Sequence, residues 1–168
     1  DKYTYINQLN EPDVVKSKRL FNYFVRESFK KDVINEVAKI LNYRFDIDNY
    51  YVSEKNLKVM AKSSMIIGSQ TESHPVMANL DYDYQEIEIK NSFEYISNTF
   101  AMPIKTYCHP FGNEISYNQN TIDLLSKYKV DYSFAVNPID IEPGDFKKNK
   151  RQILPRYDCN EFIFGKAD

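Results

Sequence analysis

From residue 64 onward the chain repeats one alternation: a short strand-like run, a polar loop, then a stretch with helical spacing. Met65-Ile66-Ile67, closed by Gly68, reads as a buried parallel strand, whose two covered faces favour unbroken apolar sequence. Residues 80–100 read as a long helix, with Tyr84, Ile87, Ile89, Phe93 and Ile96 as core contacts. Residues 105–109 predict a second strand, broken by Pro110-Phe111-Gly112. Ser116 and Gln119 form an S-x-x-Q capping box, which predicts a helix running to Tyr128. Residues 132–136 predict a third strand; Pro138 and Pro143-Gly144 then punctuate a loop, and Ile153-Leu154 leads to a last element near Pro155. Strands alternating with helices define the α/β class, a parallel sheet with crossover helices, open or barrel-like.

The first third differs. Leu20, Phe21, Phe24, Val25 and Phe29 fall one helical turn apart, as do Val33, Ile34, Val37, Ile40 and Leu41. Pro12-Asp13 suits a helix start, since proline is tolerated in the first turn and acid is favoured there. The spacing leaves open whether residues 13–41 form one helix or two around Lys30. Residues 42–51 read as a connection, after which Ser53 offers an N-cap and Leu57 and Met60 an inner face. No repeat and no low-complexity tract interrupts the chain. A single domain is expected over residues 1–168, helical over 1–50 and motif-bearing over 51–168.

Composition excludes several functions. With 168 residues, 42% hydrophobic and 27% charged, the chain can bury a real core. A formal net charge of -2 gives no global field to attract nucleic acid or an anionic membrane. Lys30-Lys31 and the basic cluster at residues 147–151 read as solvated loop charge. No apolar run approaches the roughly 20 residues of a membrane span. There is no secretory pattern, and a start at Asp1 suggests a processed or truncated product. The two cysteines, Cys108 and Cys159, make no disulfide framework, so a cytoplasmic location is the default expectation.

In parallel α/β folds functional groups gather at the carboxyl ends of strands. Three segments fall there: residues 68–75, 108–113 and 155–160. The first carries His74, one of two histidines, and an imidazole can bind a metal or shuttle a proton near neutral pH. A satisfied structural histidine is the competing reading. In the second, Cys108 beside His109 suggests a nucleophile and base, but neighbours on a strand point to opposite faces. Cys108 therefore reads as a small buried hydrophobe. A zinc site from Cys108, His109, His74 and Cys159 lacks ligand-like spacing. In the third, Arg156 and Asp158 share parity on an extended chain, as an ion pair or as an arginine orienting a carboxylate.

These segments, in this order, resemble the NodB-type polysaccharide deacetylases. Residues 66–75, Ile-Ile-Gly-Ser-Gln-Thr-Glu-Ser-His-Pro, are similar to the family's G-[NS]-H-T-x-x-H-P metal motif. Residues 105–112 are similar to a strand ending in Y-P-[YF]-G, and residues 154–160 to an L-P-R-x-D segment. The stretch at residues 85–92 matches the "E-E-I-x-x-S" character of the helix between them. The similarity spans about residues 50–164, the C-terminal two-thirds. It implies a partial or distorted (β/α) barrel that hydrolyses the acetyl group of an N-acetylated saccharide with a bound divalent metal, usually zinc. By the resemblance, His74 and Gln70 take the metal positions, and Arg156 and Asp158 the catalytic ones. Tyr107, His109, Pro110 and Phe111 would line the substrate groove. Three departures accompany it: no T-F-D-D motif, Gln70 where the family has histidine, and no C-terminal L-x-x-H. An amide is a poorer zinc ligand than an imidazole, so weak or absent zinc is expected. The alternative is a non-catalytic relative that binds glycan or acts as a scaffold. A sheet lacking its first strands would expose an edge, so a homodimer or an exchange of elements is expected.

Overall fold

Pro12 and Asp13 open the first helix as their chemistry predicts. Pro12 is the N-cap, and Asp13 puts a negative charge in the first turn of α1, Asp13–Phe24. The computed structural model describes residues 12–46, 50–147, 150–158 and 162. Two compact units emerge, Asp1–Tyr51 and Val52–Asp168.

In the first unit the apolar run is two helices, not one. Val25 and Arg26 are extended, and α2 resumes over Glu27–Ile40. The break leaves helix-end carbonyls of α1 to find partners outside the helix. Lys30 supplies one, donating to the Asn22 carbonyl at 3.3 Å, pairing with Glu27 at 2.7 Å and lying 5.7 Å over the Phe21 ring. Neither α1 nor α2 carries a buried residue. Asn42, in the left-handed region at φ 48°, ends α2.

The second unit begins with α3, Glu54–Lys62, capped by the Ser53 hydroxyl, which accepts from the Asn56 N–H at 3.2 Å. Three parallel strands follow, β1 (Thr106–Cys108), β2 (Tyr132–Val136) and β3 (Leu154–Arg156), in the order β1-β2-β3. Helix α4, Tyr82–Thr99, precedes β1, and α5, Gln119–Lys127, connects β1 to β2. The core is built from Met77, Ile89, Phe93, Tyr107, Leu124, Leu125 and Val130. Burying an Ile or Phe of this kind contributes about 1.5–3 kcal/mol each.

Three expectations are corrected. Met65-Ile66-Ile67 is not a buried strand: Met65 is 56% and Ile66 58% exposed, and only Ser69 bridges to Tyr107. Gly68 explains the close approach that follows, since a Cβ there would lie 2.3 Å from Thr106 Oγ1. On α4, Tyr84 and Ile87 face solvent, and the buried stripe is Gln85, Ile89, Ser92, Phe93 and Ile96. Ile89, Phe93 and Ile96 lie inside as expected, whereas apolar character alone added Tyr84 and Ile87 and missed the two polar members. Gln85 donates to the Leu80 carbonyl at 3.0 Å and accepts from Thr121 Oγ1 at 2.7 Å, joining α4 to α5. The cap of α5 lies at Asn118, which forms a reciprocal capping box with Thr121. Ser116 instead donates to the Asn113 carbonyl at 2.7 Å, holding the preceding turn.

Candidate active site

All three strands run the same way, so the loops leaving them open on one end of the sheet. The first loop follows Ser69. Its N–H donates to Thr106 O at 2.9 Å and its carbonyl accepts from Cys108 N–H at 2.8 Å, which seats the loop beside β1. Its hydroxyl is buried 2.6 Å from that of Ser92 on α4 and accepts from the Thr71 N–H at 3.2 Å. Thr71 Oγ1 accepts from the His74 N–H at 3.0 Å and closes the turn. Gln70 and His74 are both exposed on this loop.

The second loop leaves β1. Gly112 N–H donates to Pro110 O at 2.7 Å around Phe111, whose φ is 61°. A three-residue turn with a positive central φ is the rarer, strained γ form. Its crest meets the first loop: the Phe111 and His74 rings stand 4.9 Å apart, edge to face. Among described non-glycine residues, six have positive φ. Asn42, Ser64 and Lys129 follow helix ends, where the left-handed conformation is routine. Thr71, His74 and Phe111 belong to these two loops, and strain of that kind collects at functional sites.

Tyr107 and His109 are corrected as substrate-groove residues. Both are 0% exposed, on the sheet face packed against the helices, and so present no surface to a saccharide. His109 Nε2 lies 2.8 Å from the Gln152 carbonyl, and its ring stacks on Tyr117 with centroids 4.2 Å apart. Burial drives its pKa down to about 4, against a smaller upward pull from the Gln152 carbonyl. Burial also raises the Tyr107 phenol well above its ordinary value, and its hydroxyl has no hydrogen-bond partner. Pro110 is buried as well, which leaves Phe111, half-buried, as the member of the set that reaches the loop surface.

Cys108, of opposite parity to His109, is half-buried; desolvation raises its thiol pKa and the Arg156 charge lowers it by less. The thiol is therefore no activated nucleophile. Arg156 and Asp158, both half-buried, leave the carboxyl end of β3, and Arg156 Nε is buried without a hydrogen-bond partner. Between them Tyr157 OH donates to Asp140 at 3.0 Å, so the side chain of opposite parity is held elsewhere. Cys159 and Asn160 lie outside the described residues.

The residues that hold the first loop were not singled out by sequence reasoning. Glu88 Oε2 accepts the N–H groups of Glu72 and Ser73, both at 2.9 Å, and Oε1 accepts the Ser73 hydroxyl. Asn91 donates to Glu72 at 2.7 Å. With Ser92, these residues stand at i, i+3 and i+4 on α4. That polar spacing on an otherwise core-bearing helix was the available signal. Among the described residues, no group of three or more His, Cys, Asp or Glu side chains stands ready to hold a metal ion. No helix among them is long and apolar enough to cross a membrane.

The histidine loop and the Pro-Phe-Gly turn thus meet at the carboxyl end of a parallel α/β unit. The family described as polysaccharide deacetylase matches residues 29–133. This chain belongs to the polysaccharide deacetylase family. Among solved structures it is similar to the Streptococcus pyogenes deacetylase PplD, determined in complex with acetate. That match has a TM-score of 0.56 and 20% identity over 63% of this chain and 44% of the other. The likeness shows a shared fold, consistent with a partial distorted barrel, over less than half of that deacetylase. No curated protein matches significantly.

Proposed function

We propose that the loops at residues 69–75 and 109–113 form part of an acetyl-saccharide hydrolase site. The contact of the His74 and Phe111 rings, 4.9 Å apart at the carboxyl end of the sheet, carries the reading. Phe111 offers an apolar edge against which a sugar ring or acetyl methyl can pack. His74 offers an exposed imidazole, a side chain that can both accept and donate a proton. Deacetylation needs both steps: water adds to the acetyl carbonyl carbon and loses a proton, then the C–N bond breaks and the amine gains one. Arg156 and Asp158 are assigned to orienting roles at the same end.

Zinc is what the resemblance calls for, and the donors that the described residues bring to the first loop are a poor match for it. His74 supplies one imidazole and Gln70 a neutral amide, and among the described residues no three His, Cys, Asp or Glu side chains cluster to hold a metal. No step is therefore assigned to a metal. This incompleteness favours a second reading, a relative that binds acetylated glycan without cleaving it. The exposed Met65 and Ile66 beside β1 support the expected self-association. A well-behaved monomer in sedimentation would count against it.

The deciding experiment follows acetate release from N-acetylated oligosaccharides by the full chain and by His74→Ala, with zinc calorimetry on both. Acetate release lost in His74→Ala supports the hydrolase. Saccharide binding without release supports the second reading. Neither release nor binding refutes both.

A further inference from the structure

The loop that carries His74 is held only in part by its own side chains, through Ser69 and Thr71. Thr71 and His74 both sit in the left-handed region, at φ 69° and 58°, and neither is glycine or asparagine. Such residues persist only where the surroundings over-determine them. The surroundings here are one face of α4. Between the two strained residues, the N–H groups of Glu72 and Ser73 converge on a single Glu88 oxygen, both at 2.9 Å. The other oxygen takes the Ser73 hydroxyl. Successive N–H groups beside a left-handed residue form a concavity for an anion. Here the anion is a carboxylate of the protein itself, and hydrogen bonds to an ionised acceptor are about twice as strong as neutral ones. Asn91 adds a bond to Glu72 at 2.7 Å, and Ser92 reaches the base of the loop through Ser69 at 2.6 Å.

We propose that Glu88 is the positioning residue for His74: its carboxylate holds the backbone of Glu72 and Ser73 and thereby fixes where the imidazole meets Phe111. The proposal rests on the assignment of His74 to the site. Glu88 touches neither reacting atoms nor substrate in this account. Its charge selects the loop conformation, and its place on α4 ties that conformation to the core through Ile89, the next residue, which is fully buried.

The test uses the full chain and its only two histidines, His74 and His109, which give two resolvable imidazole signals by NMR. Glu88→Ala should shift and broaden the His74 signal while leaving His109, buried in the sheet, unmoved. Hydrogen exchange at the Glu72 and Ser73 amides should quicken by about tenfold or more. Glu88→Gln keeps an acceptor oxygen without the charge and should fall between wild type and Glu88→Ala. If Glu88→Ala disturbs both histidines together, the folded Glu88→Gln protein carries the test. An unmoved His74 signal with unchanged exchange in a folded variant overturns the proposal. In the acetate-release assay Glu88→Ala should lower kcat more than it raises KM. Release unaffected by His74→Ala would sink the functional assignment alone, because the NMR result on Glu88 stands independently of it.

Discussion

Acidification should unfold this protein through one buried imidazole. His109 is 0% exposed and its pKa is about 4, against 6.5 for a free histidine, because burial disfavours the charged ring. The unfolded chain therefore binds the proton that the folded chain refuses. Stability from His109 is complete above pH 6.5 and is lost as pH falls toward 4. The gap corresponds to about 3 kcal/mol at the acid limit, and to about 2 kcal/mol between pH 7 and pH 5. Urea titrations at those two pH values, followed by far-ultraviolet circular dichroism and the emission of the 14 tyrosines, would measure it. The control is His109→Gln, whose amide can still donate to the Gln152 carbonyl but does not titrate in this range. Glu86 and Asp145, held below their ordinary values by hydrogen bonds from Lys127 and from the Glu142 backbone respectively, are present in both proteins and cancel. Wild type should lose about 2 kcal/mol more than the variant on going to pH 5. Equal losses would refute the argument, and with it the neutral, desolvated placement of His109.

Two further substitutions test the packing beneath and beside the site. Tyr107→Phe removes a buried hydroxyl that has no hydrogen-bond partner and should stabilise the fold by about 1 kcal/mol in urea, with a loss of stability counting against the packing described. Gly112→Ala places a Cβ 2.6 Å from Val136 Cγ2 at φ 71° and should destabilise by about 2 kcal/mol or more. A neutral Gly112→Ala would mean that the turn at Phe111 is looser than its geometry.

The sheet was legible where local pattern and global packing agree. Residues 132–136 alternate in burial as a strand should, and β2 has those bounds. Proline and glycine marked the end of β1, and Ser53 marked the start of α3. Legibility failed where polar residues do core work. Gln85 and Ser92 are buried because each is fully hydrogen-bonded, which composition cannot reveal, so the inner face of α4 was read with Tyr84 and Ile87 beside the correctly placed Ile89, Phe93 and Ile96. Met65 and Ile66 read as a covered strand, although an apolar run says nothing about whether a neighbour covers it. At the site, the order of motifs located the loops. What it could not show is that strand parity turns Tyr107 and His109 toward the helices while Phe111, thrown outward by its turn, meets His74. Glu88 escaped because its partners are backbone N–H groups, which leave no trace in the side-chain sequence.

The Phe111 turn is moored to β2 at both ends. His109 N–H reaches Phe134 O at 3.0 Å, and Val136 N–H reaches Gly112 O at 2.8 Å. Two residues of loop lie between the moorings, opposite a single residue of the strand. An insertion or deletion there would have to break one mooring or shift β2 by a residue, which would turn every side chain of that strand to the other face. Diversification of this rim is therefore confined to changes of letter at a fixed length, with position 111 the natural place for them.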